Sequence, residues 1–188
     1  MPEKIVNINH AENIYIQKGA SVAGVTPYPE NMINRMSRNE LLLLDRCFYH
    51  LFILEDSPYE SGTFKILKGH CMKYMPAQNV KRFNTVEPEN LSLLMSFPAI
   101  FAAPNVARKH PDQFQEMYLG AISKITPQDD FIKIEWRAYA TLPQKLLNDN
   151  EALFDVWTTT LRNELDIDHW AVKEIPLLEN LSSVGFSI

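Results

Sequence analysis

The chain has 188 residues, of which 46% are hydrophobic and 22% are charged, and its net charge is −5. This length suits one domain or two small ones, and the composition excludes a chain that is disordered throughout. No apolar run approaches the roughly eighteen residues that cross a bilayer, and no segment at the N-terminus is of signal-peptide type. The two cysteines, Cys47 and Cys71, are too few for a disulfide framework. We therefore expect a reduced, cytoplasmic protein without a membrane partner.

The first 34 residues predict a β-hairpin element and a linker. Two short β-prone runs within residues 4–19 flank a polar stretch at residues 10–13, which favours a hairpin turn. Gly24, Pro27 and Pro29 follow in a stretch without periodicity, which is typical of a linker. A hairpin of this size is marginal alone, so we expect it to pack on another part of the protein.

Residues 35–96 predict a helical region. The sequence SRNE at residues 37–40 is a capping box, which opens a helix expected to continue to about residue 54. Apolar side chains fill most of the circumference of that helix, so we expect Leu44 and Phe48 to lie in the core or at an oligomer interface. A second, amphipathic helix with a basic outer face is predicted for residues 63–75.

Residues 97–188 predict a small β-rich module. The apolar pattern changes to a period of two, and strands are expected at residues 97–103, 117–125, 131–137 and 169–172. A helix is predicted for residues 151–162. Because helices precede strands, the predicted class is α+β. The chain would then comprise an N-terminal β-hairpin (1–34), a helical middle (35–96) and a C-terminal small antiparallel β-sheet or barrel (97–188).

Three acidic residues and one histidine are the candidate catalytic groups. Asp129, Asp130 and Glu135 loosely match a metal-dependent nuclease, in which acids after one strand and within the next hold Mg²⁺. Arg137 stands where such a nuclease has a lysine, and arginine is a poor proton shuttle because it stays charged. His169 has carboxylates near it, but no serine or cysteine lies in a recognised nucleophile motif. The alternative interpretation makes Glu135 a solvated residue and His169 a structural one.

Positions 61–86 contain five basic residues and no acidic residue: Lys65, Lys68, Lys73, Lys81 and Arg82. These side chains form a candidate surface for an anionic partner such as nucleic acid. From position 138 onward the chain has three basic residues against eight acidic ones. Attraction between these two regions of the same molecule is therefore the alternative explanation.

Four residues have side chains that can bind metals: Cys47, His50, His70 and Cys71. Their spacing is not that of a standard zinc site, and both cysteines fall on apolar faces of the predicted helices. Buried cysteines explain the pattern, so neither a metal nor another cofactor is predicted.

Four segments of the C-terminal half carry a family resemblance: FPAIFA at residues 97–102, YLGAI at 118–122, IKIEW at 132–136 and ELDIDHWAVKE at 164–174. Together they resemble an uncharacterised bacterial C-terminal module, spanning about residues 97–181 here, whose members end in a similar EL…HWAVK-acidic signature. That module is attached to varied N-terminal parts in proteins that look like components of stress or anti-phage systems. The sequence NINHAENIY at residues 7–15 is similar to a short β element that precedes effector or adaptor regions in bacterial conflict proteins.

We therefore expect a non-enzymatic adaptor, regulator or effector-associated subunit that acts through protein–protein contacts. Its partner would be another protein or a second copy of this chain. The resemblance implies a setting, a bacterial stress or anti-phage system, rather than a reaction. A metal-dependent nuclease or a nucleic-acid-binding protein is the alternative.

Overall fold

A computed structural model describes residues 35–55, 59–83 and 88–188. The strands of this part of the chain are β1 (Tyr49–Ile53), β2 (Thr63–Leu67), β3 (Pro98–Ala102), β4 (Glu116–Pro127), β5 (Phe131–Pro143) and β6 (His169–Lys173). The α-helices are short: α1 (Arg38–Leu42), α2 (Ala77–Phe83), α3 (Pro88–Leu94), α4 (Lys145–Asp149) and α5 (Leu177–Ser183). The predicted N-terminal hairpin lies outside the described residues.

All six strands belong to one sheet, in the order β2-β5-β4-β3-β1-β6. β1 and β3 run parallel, and the other neighbouring strands run antiparallel. β1 and β2 are four places apart in this order, which would separate them by roughly 19 Å in a flat sheet. The rings of Phe52 in β1 and Phe64 in β2 nevertheless lie 5.3 Å apart. The sheet is therefore strongly curled, as a half-barrel.

The curled sheet has an apolar core on each face. The concave face encloses an aromatic core that includes Phe52, Phe64, Phe101, Trp136 and Trp170. The convex face packs aliphatic side chains of the central strands against α1, α4 and α5, with Leu41, Leu147 and Leu181 among the buried residues. Burial on both faces explains why the central strands are apolar at almost every position.

The predicted helical middle is wrong. The capping box is present, since Glu40 N donates to Ser37 Oγ (3.3 Å) and Ser37 N donates to a Glu40 carboxylate oxygen (2.7 Å). The helix that it opens ends at Leu42, and residues 49–53 form a strand with every residue buried. A strand buried on both faces is apolar at consecutive positions, and over five residues such a run has no period that distinguishes it from a buried helix.

The other two helix predictions are also wrong. Residues 63–67 form β2, in which Phe64 and Ile66 are buried while Lys65 and Leu67 are exposed, and a 3-10 turn follows over Lys68–His70. Residues 151–162 form turns, with an isolated bridge between Trp157 and Asn163. The predicted α+β class with a helical middle is thus replaced by a mixed α/β fold, in which strands dominate and both halves of the described chain supply strands to one sheet.

The strand predictions after residue 97 are confirmed. β3, β4, β5 and β6 lie at the predicted places, and β4 and β5 are longer than the sequence pattern indicated. In β5 the buried residues Ile132, Ile134 and Trp136 alternate with more exposed ones, as a period of two requires.

Candidate functional site

Three buried ionisable side chains meet at β6 (His169–Lys173). One carboxylate oxygen of Glu164 lies 2.5 Å from Lys173 Nζ, and the other lies 3.1 Å from His169 Nε2. The side chains of Glu164, His169 and Lys173 are 4%, 1% and 1% exposed. Burial of this degree requires that each charge be paired, because an isolated charge loses its hydration.

Local structure holds this triad in place. His169 and Lys173 begin and end β6, and Glu164 lies in a 3-10 turn that Asn163 caps. Lys173 Nζ also donates to the Tyr74 carbonyl oxygen (3.1 Å) and lies 3.7 Å from an Asp155 carboxylate oxygen. The lysine thus has an acceptor near it for each of its three N–H donors.

The polar atoms of the triad contact one another and neighbouring backbone groups inside the fold. His169 Nδ1 lies 2.7 Å from the Ile167 carbonyl oxygen, so both ring nitrogens of His169 face acceptors. Each Glu164 carboxylate oxygen lies within hydrogen-bond distance of one of the other two side chains. A general acid or base must reach a substrate atom within hydrogen-bond distance, and these three groups are instead engaged with one another. The geometry is that of an internal ion-pair network.

A second buried histidine ties β1 to β6 on the concave face. His50 Nε2 donates to the Leu94 carbonyl oxygen (2.7 Å), and His50 Nδ1 accepts from the Trp170 indole N–H (3.1 Å). These two contacts fix the neutral Nε2–H tautomer, since one nitrogen must donate and the other must accept. Burial lowers the pKa of His50 to about 4, and the hydrogen bond to the Leu94 carbonyl only partly offsets this effect.

We expect His50 to make the free energy of unfolding depend on pH between about 6.5 and 4. In this window the unfolded chain binds a proton that the folded chain excludes, so stability is complete above the unfolded pKa and falls as the pH decreases. The loss by pH 4 should be about 3 kcal/mol relative to neutral pH. Urea unfolding at several pH values should show a steeper decline for the natural chain than for His50→Gln, and equal slopes would contradict this expectation.

A pair of joined segments, residues 103–115 and 144–166, forms what we call the loop platform. The first segment connects β3 to β4, and the second follows β5 and leads towards β6. Because these neighbouring strands alternate in direction, both segments lie at the same end of the sheet. Asn105 N donates to the Leu165 carbonyl oxygen (2.8 Å), which joins the two segments directly.

A network of amide side chains and ion pairs fixes the loop platform. Asn105 Nδ2 donates to an Asp166 carboxylate oxygen (2.8 Å), and Lys109 Nζ donates to a Glu151 carboxylate oxygen (2.9 Å). Three further amide side chains complete the network: Gln144, Asn148 and Asn163. Part-buried polar groups that hydrogen-bond one another in this way hold loops in a single conformation, although the buried Gln144 Oε1 has no partner among the described residues.

The loop platform exposes four large apolar side chains. Val106 and Phe114 on the first segment are 75% and 80% exposed, and Trp157 and Leu161 on the second are 55% and 70% exposed. A polar cleft of about 380 Å³ lies on the same platform, with Lys109, Asn148 and Glu151 among its lining residues. Rigid loops with exposed apolar side chains are the usual form of a protein-binding surface.

The acidic residues of the nuclease hypothesis are not brought together. Asp129 and Asp130 are exposed in the turn between β4 and β5. Glu135 lies five residues further along β5, roughly 16 Å away at the rise of a strand, and its carboxylate contacts Lys133 (3.4 Å) and Lys124 (3.8 Å). His169 belongs to the separate buried triad described above.

The five basic residues occupy several elements instead of one helix face. Lys65 lies in β2 and Lys68 in the turn after it, whereas Lys81 and Arg82 lie in α2. The Arg82 guanidinium lies over the rings of Phe48 and Phe83, at 5.1 and 5.0 Å. Lys73 precedes α2 and donates its backbone N–H to the Trp170 carbonyl oxygen.

Leu44 and Phe48, which were proposed as interface residues on one helix, lie in the segment between α1 and β1 and not in a helix. Phe48 stacks on Phe97 at 5.3 Å within the concave-face core, and Leu44 is partly buried against the convex-face core.

Three of the four side chains considered as metal ligands have other contacts, and the fourth, Cys47, is exposed and not buried as predicted. His50 is buried as described, while His70 Nδ1 lies 3.3 Å from an Asp168 carboxylate oxygen. Cys71 Sγ donates to the Leu67 carbonyl oxygen, and burial raises the pKa of the Cys71 thiol to about 12. Within residues 35–55, 59–83 and 88–188, no three His, Cys, Asp or Glu side chains converge as ligands of a metal would.

In comparisons with known proteins, no family model, no curated protein and no solved structure matches the chain. No helix of the described part of the chain has the length and apolar character needed to span a membrane.

Sequence reasoning missed the loop platform. The segment with Trp157 and Leu161 was expected to be a helix, which would have placed these side chains on a buried face. The usable signal was local: the three consecutive threonines at residues 158–160 are β-branched and disfavour a helix, although Leu153, Trp157 and Leu161 recur at helical spacing.

Proposed function

We propose that this chain acts by binding another protein through its loop platform, as a non-enzymatic adaptor, regulator or effector-associated subunit. The observation that carries the proposal is the exposure of Val106, Phe114, Trp157 and Leu161 on loops fixed by a buried polar network. Isolated exposed apolar residues are ordinary. Four of them on two hydrogen-bonded segments give a partner several apolar side chains to bury at one end of the sheet.

The chemistry of the platform suits a protein partner. Tryptophan is enriched among the residues that dominate binding energy, and loops fixed in advance lose little conformational freedom on association. The polar cleft beside Lys109 and Glu151 supplies hydrogen-bonding groups at the rim, where interfaces are usually polar and solvated. The resemblance of the C-terminal half to a bacterial module supports a stress or anti-phage system as the setting of this proposal.

The proposal is tested by truncating two platform side chains. Partners captured with the tagged chain from its host would be purified and titrated against the natural chain and a Trp157→Ala/Leu161→Ala variant. We expect the variant to lose at least about 30-fold in affinity, since a central hot spot is worth about 2 kcal/mol or more. Leu43→Ala is the matched control, because Leu43 is 85% exposed but lies outside the platform.

The proposal requires that the Trp157→Ala/Leu161→Ala variant bind the partner more weakly than the Leu43→Ala control does. Both are substitutions of exposed side chains, so both should keep the Tm of the natural chain. A purified partner that binds all three proteins with the same affinity would show that it uses another surface, and the proposed role of the platform would be wrong.

A further inference from the structure

The two outer strands of the sheet differ in how their free edges are covered. The edge of β6 is occupied by residues 71–75: Cys71 bridges to Trp170, and Val172 N donates to Met75 Sδ (3.3 Å). Among the residues that the structure describes, β2, at the other end of the sheet, pairs only with β5. An uncovered edge strand presents backbone donors and acceptors to any further strand that can reach it.

The backbone groups of β2 that point outwards can be assigned from its ladder. Trp136 N donates to the Gly62 carbonyl oxygen (3.0 Å), and Lys68 N donates to the Asp130 carbonyl oxygen (3.0 Å). Alternation in an antiparallel pair then directs the backbone groups of Phe64 and Ile66 towards β5, and those of Lys65 and Leu67 away from it. The Leu67 carbonyl accepts from Cys71 Sγ, whereas no described residue contacts the outward N–H groups of Lys65 and Leu67.

The side chains beside this edge are basic and partly apolar. Lys65 lies directly opposite Lys133 on the neighbouring strand, and the two positive charges repel each other. Glu135 contacts Lys133 and Lys124, while Lys65 and Lys68 form no ion pair within the described residues. Leu67 and its register partner Phe131 are 45% and 38% exposed on the same face. The carboxylates nearest in sequence, Asp129 and Asp130, lie in the turn beyond this pair.

We propose that the outer edge of β2 binds an extended segment of another protein that carries an acidic side chain beside Lys65 and apolar side chains against Leu67 and Phe131. The segment would add a seventh strand through the outward N–H groups of Lys65 and Leu67. An acidic residue there relieves the Lys65–Lys133 repulsion, because opposite charges on neighbouring strands attract. This site is separate from the loop platform, so it stands or fails independently of the function proposed above.

The positive charge of this edge also disfavours pairing with the β2 strand of a second copy of the chain. Two β2 strands paired about a two-fold axis would bring the Lys65 side chains of the two copies close together. A lysine in the middle of an edge strand discourages such pairing between like sheets. The same lysine favours a strand that is acidic at the matching position.

The probe for a direct test is a synthetic seven-residue peptide with valine, glutamate and valine at its second, fourth and sixth positions and threonine at the others, so that one face carries both the acidic and the apolar side chains. On saturation, NMR should show amide hydrogen exchange at Lys65 and Leu67 slowing by about tenfold or more, with Phe64 and Ile66 already protected. Lys65→Glu should weaken binding by about tenfold. Lys81→Glu, an exposed residue of the same basic set placed in α2, should leave the affinity unchanged.

Several results would overturn the proposal. The peptide must fail to bind when its alternate backbone amides are methylated, because the methyl groups remove the donors that pair with β2. Equal binding of the methylated peptide, or no binding of the parent peptide at millimolar concentration, contradicts strand addition. Protection of the Lys65 and Leu67 amides in the free protein would mean that another segment of the chain or a second copy already covers the edge. Binding of a DNA oligonucleotide in place of the peptide would assign the basic side chains to nucleic acid.

Discussion

Replacing Lys173 with methionine is expected to lower the free energy of unfolding by about 3–5 kcal/mol. The substitution removes the cation that lies 2.5 Å from a Glu164 oxygen, and it leaves that carboxylate buried with only His169 as its partner. Removing one member of a buried ion pair costs more than the pair contributes, because the remaining charge keeps its desolvation penalty. Urea unfolding followed by circular dichroism measures the loss.

Two further variants separate this effect from ordinary surface changes. Lys145→Met removes an exposed lysine that pairs with Asp149 one helical turn away, and it should cost less than about 0.5 kcal/mol. Adding Glu164→Gln to Lys173→Met removes the unpaired charge and should recover about 2 kcal/mol of the loss. If Lys173→Met costs no more than Lys145→Met, the triad does not stabilise the fold as described.

Substituting alanine for Gly120 should lower the free energy of unfolding by more than about 4 kcal/mol. Few mechanisms produce so large a loss, and steric overlap in the core is one of them. Gly120 lies in β4 beside an irregularity in its pairing with β5. A Cβ atom at Gly120 would lie 2.1 Å from the Arg137 carbonyl oxygen and 2.9 Å from Ala138 Cα. Both neighbours are backbone atoms of the central hairpin, so neither can move without separating the two strands.

Gly69 provides the matched control for this substitution. It lies in the exposed turn after β2, and a Cβ atom placed there meets nothing within 4 Å. Thermal unfolding should show a decrease in Tm of about 10 °C or more for Gly120→Ala, and little change for Gly69→Ala. A Gly120→Ala protein that melts with the natural chain would mean that β4 and β5 are not packed as closely as this register implies.

The strands after residue 97 could be predicted because their signal is local. In β5, for example, Ile132, Ile134 and Trp136 alternate with polar residues, and this alternation is visible in the sequence alone. The capping box at Ser37 was equally local, and α1 begins there. The signal that makes β1 a strand, in contrast, is not local. The five residues of β1 are all buried because β3 and β6 flank them and both faces of the sheet are covered, and a single sequence does not contain those neighbours.

The site residues could likewise be predicted only as far as a local sequence signal existed for them. His169 was recognised as unusual, but its partner Glu164 and the lysine at position 173 could be assigned only when β6 and the preceding turn were placed together. His50 was considered with the cysteines because of its spacing, whereas its contacts are with Leu94 and Trp170, 44 and 120 residues away. Side chains of this kind acquire their partners from tertiary packing, which overrides local pattern.

Amide hydrogen exchange of the complex distinguishes binding through the loop platform, as proposed above, from binding at any other surface of the described chain. With a purified partner bound, amide exchange should slow in residues 103–115 and 156–163, around Val106, Phe114, Trp157 and Leu161. The rest of the described chain should exchange as in the free protein, apart from any added protection at β2. Unchanged exchange across both platform segments, with protection confined to other residues, would contradict the account.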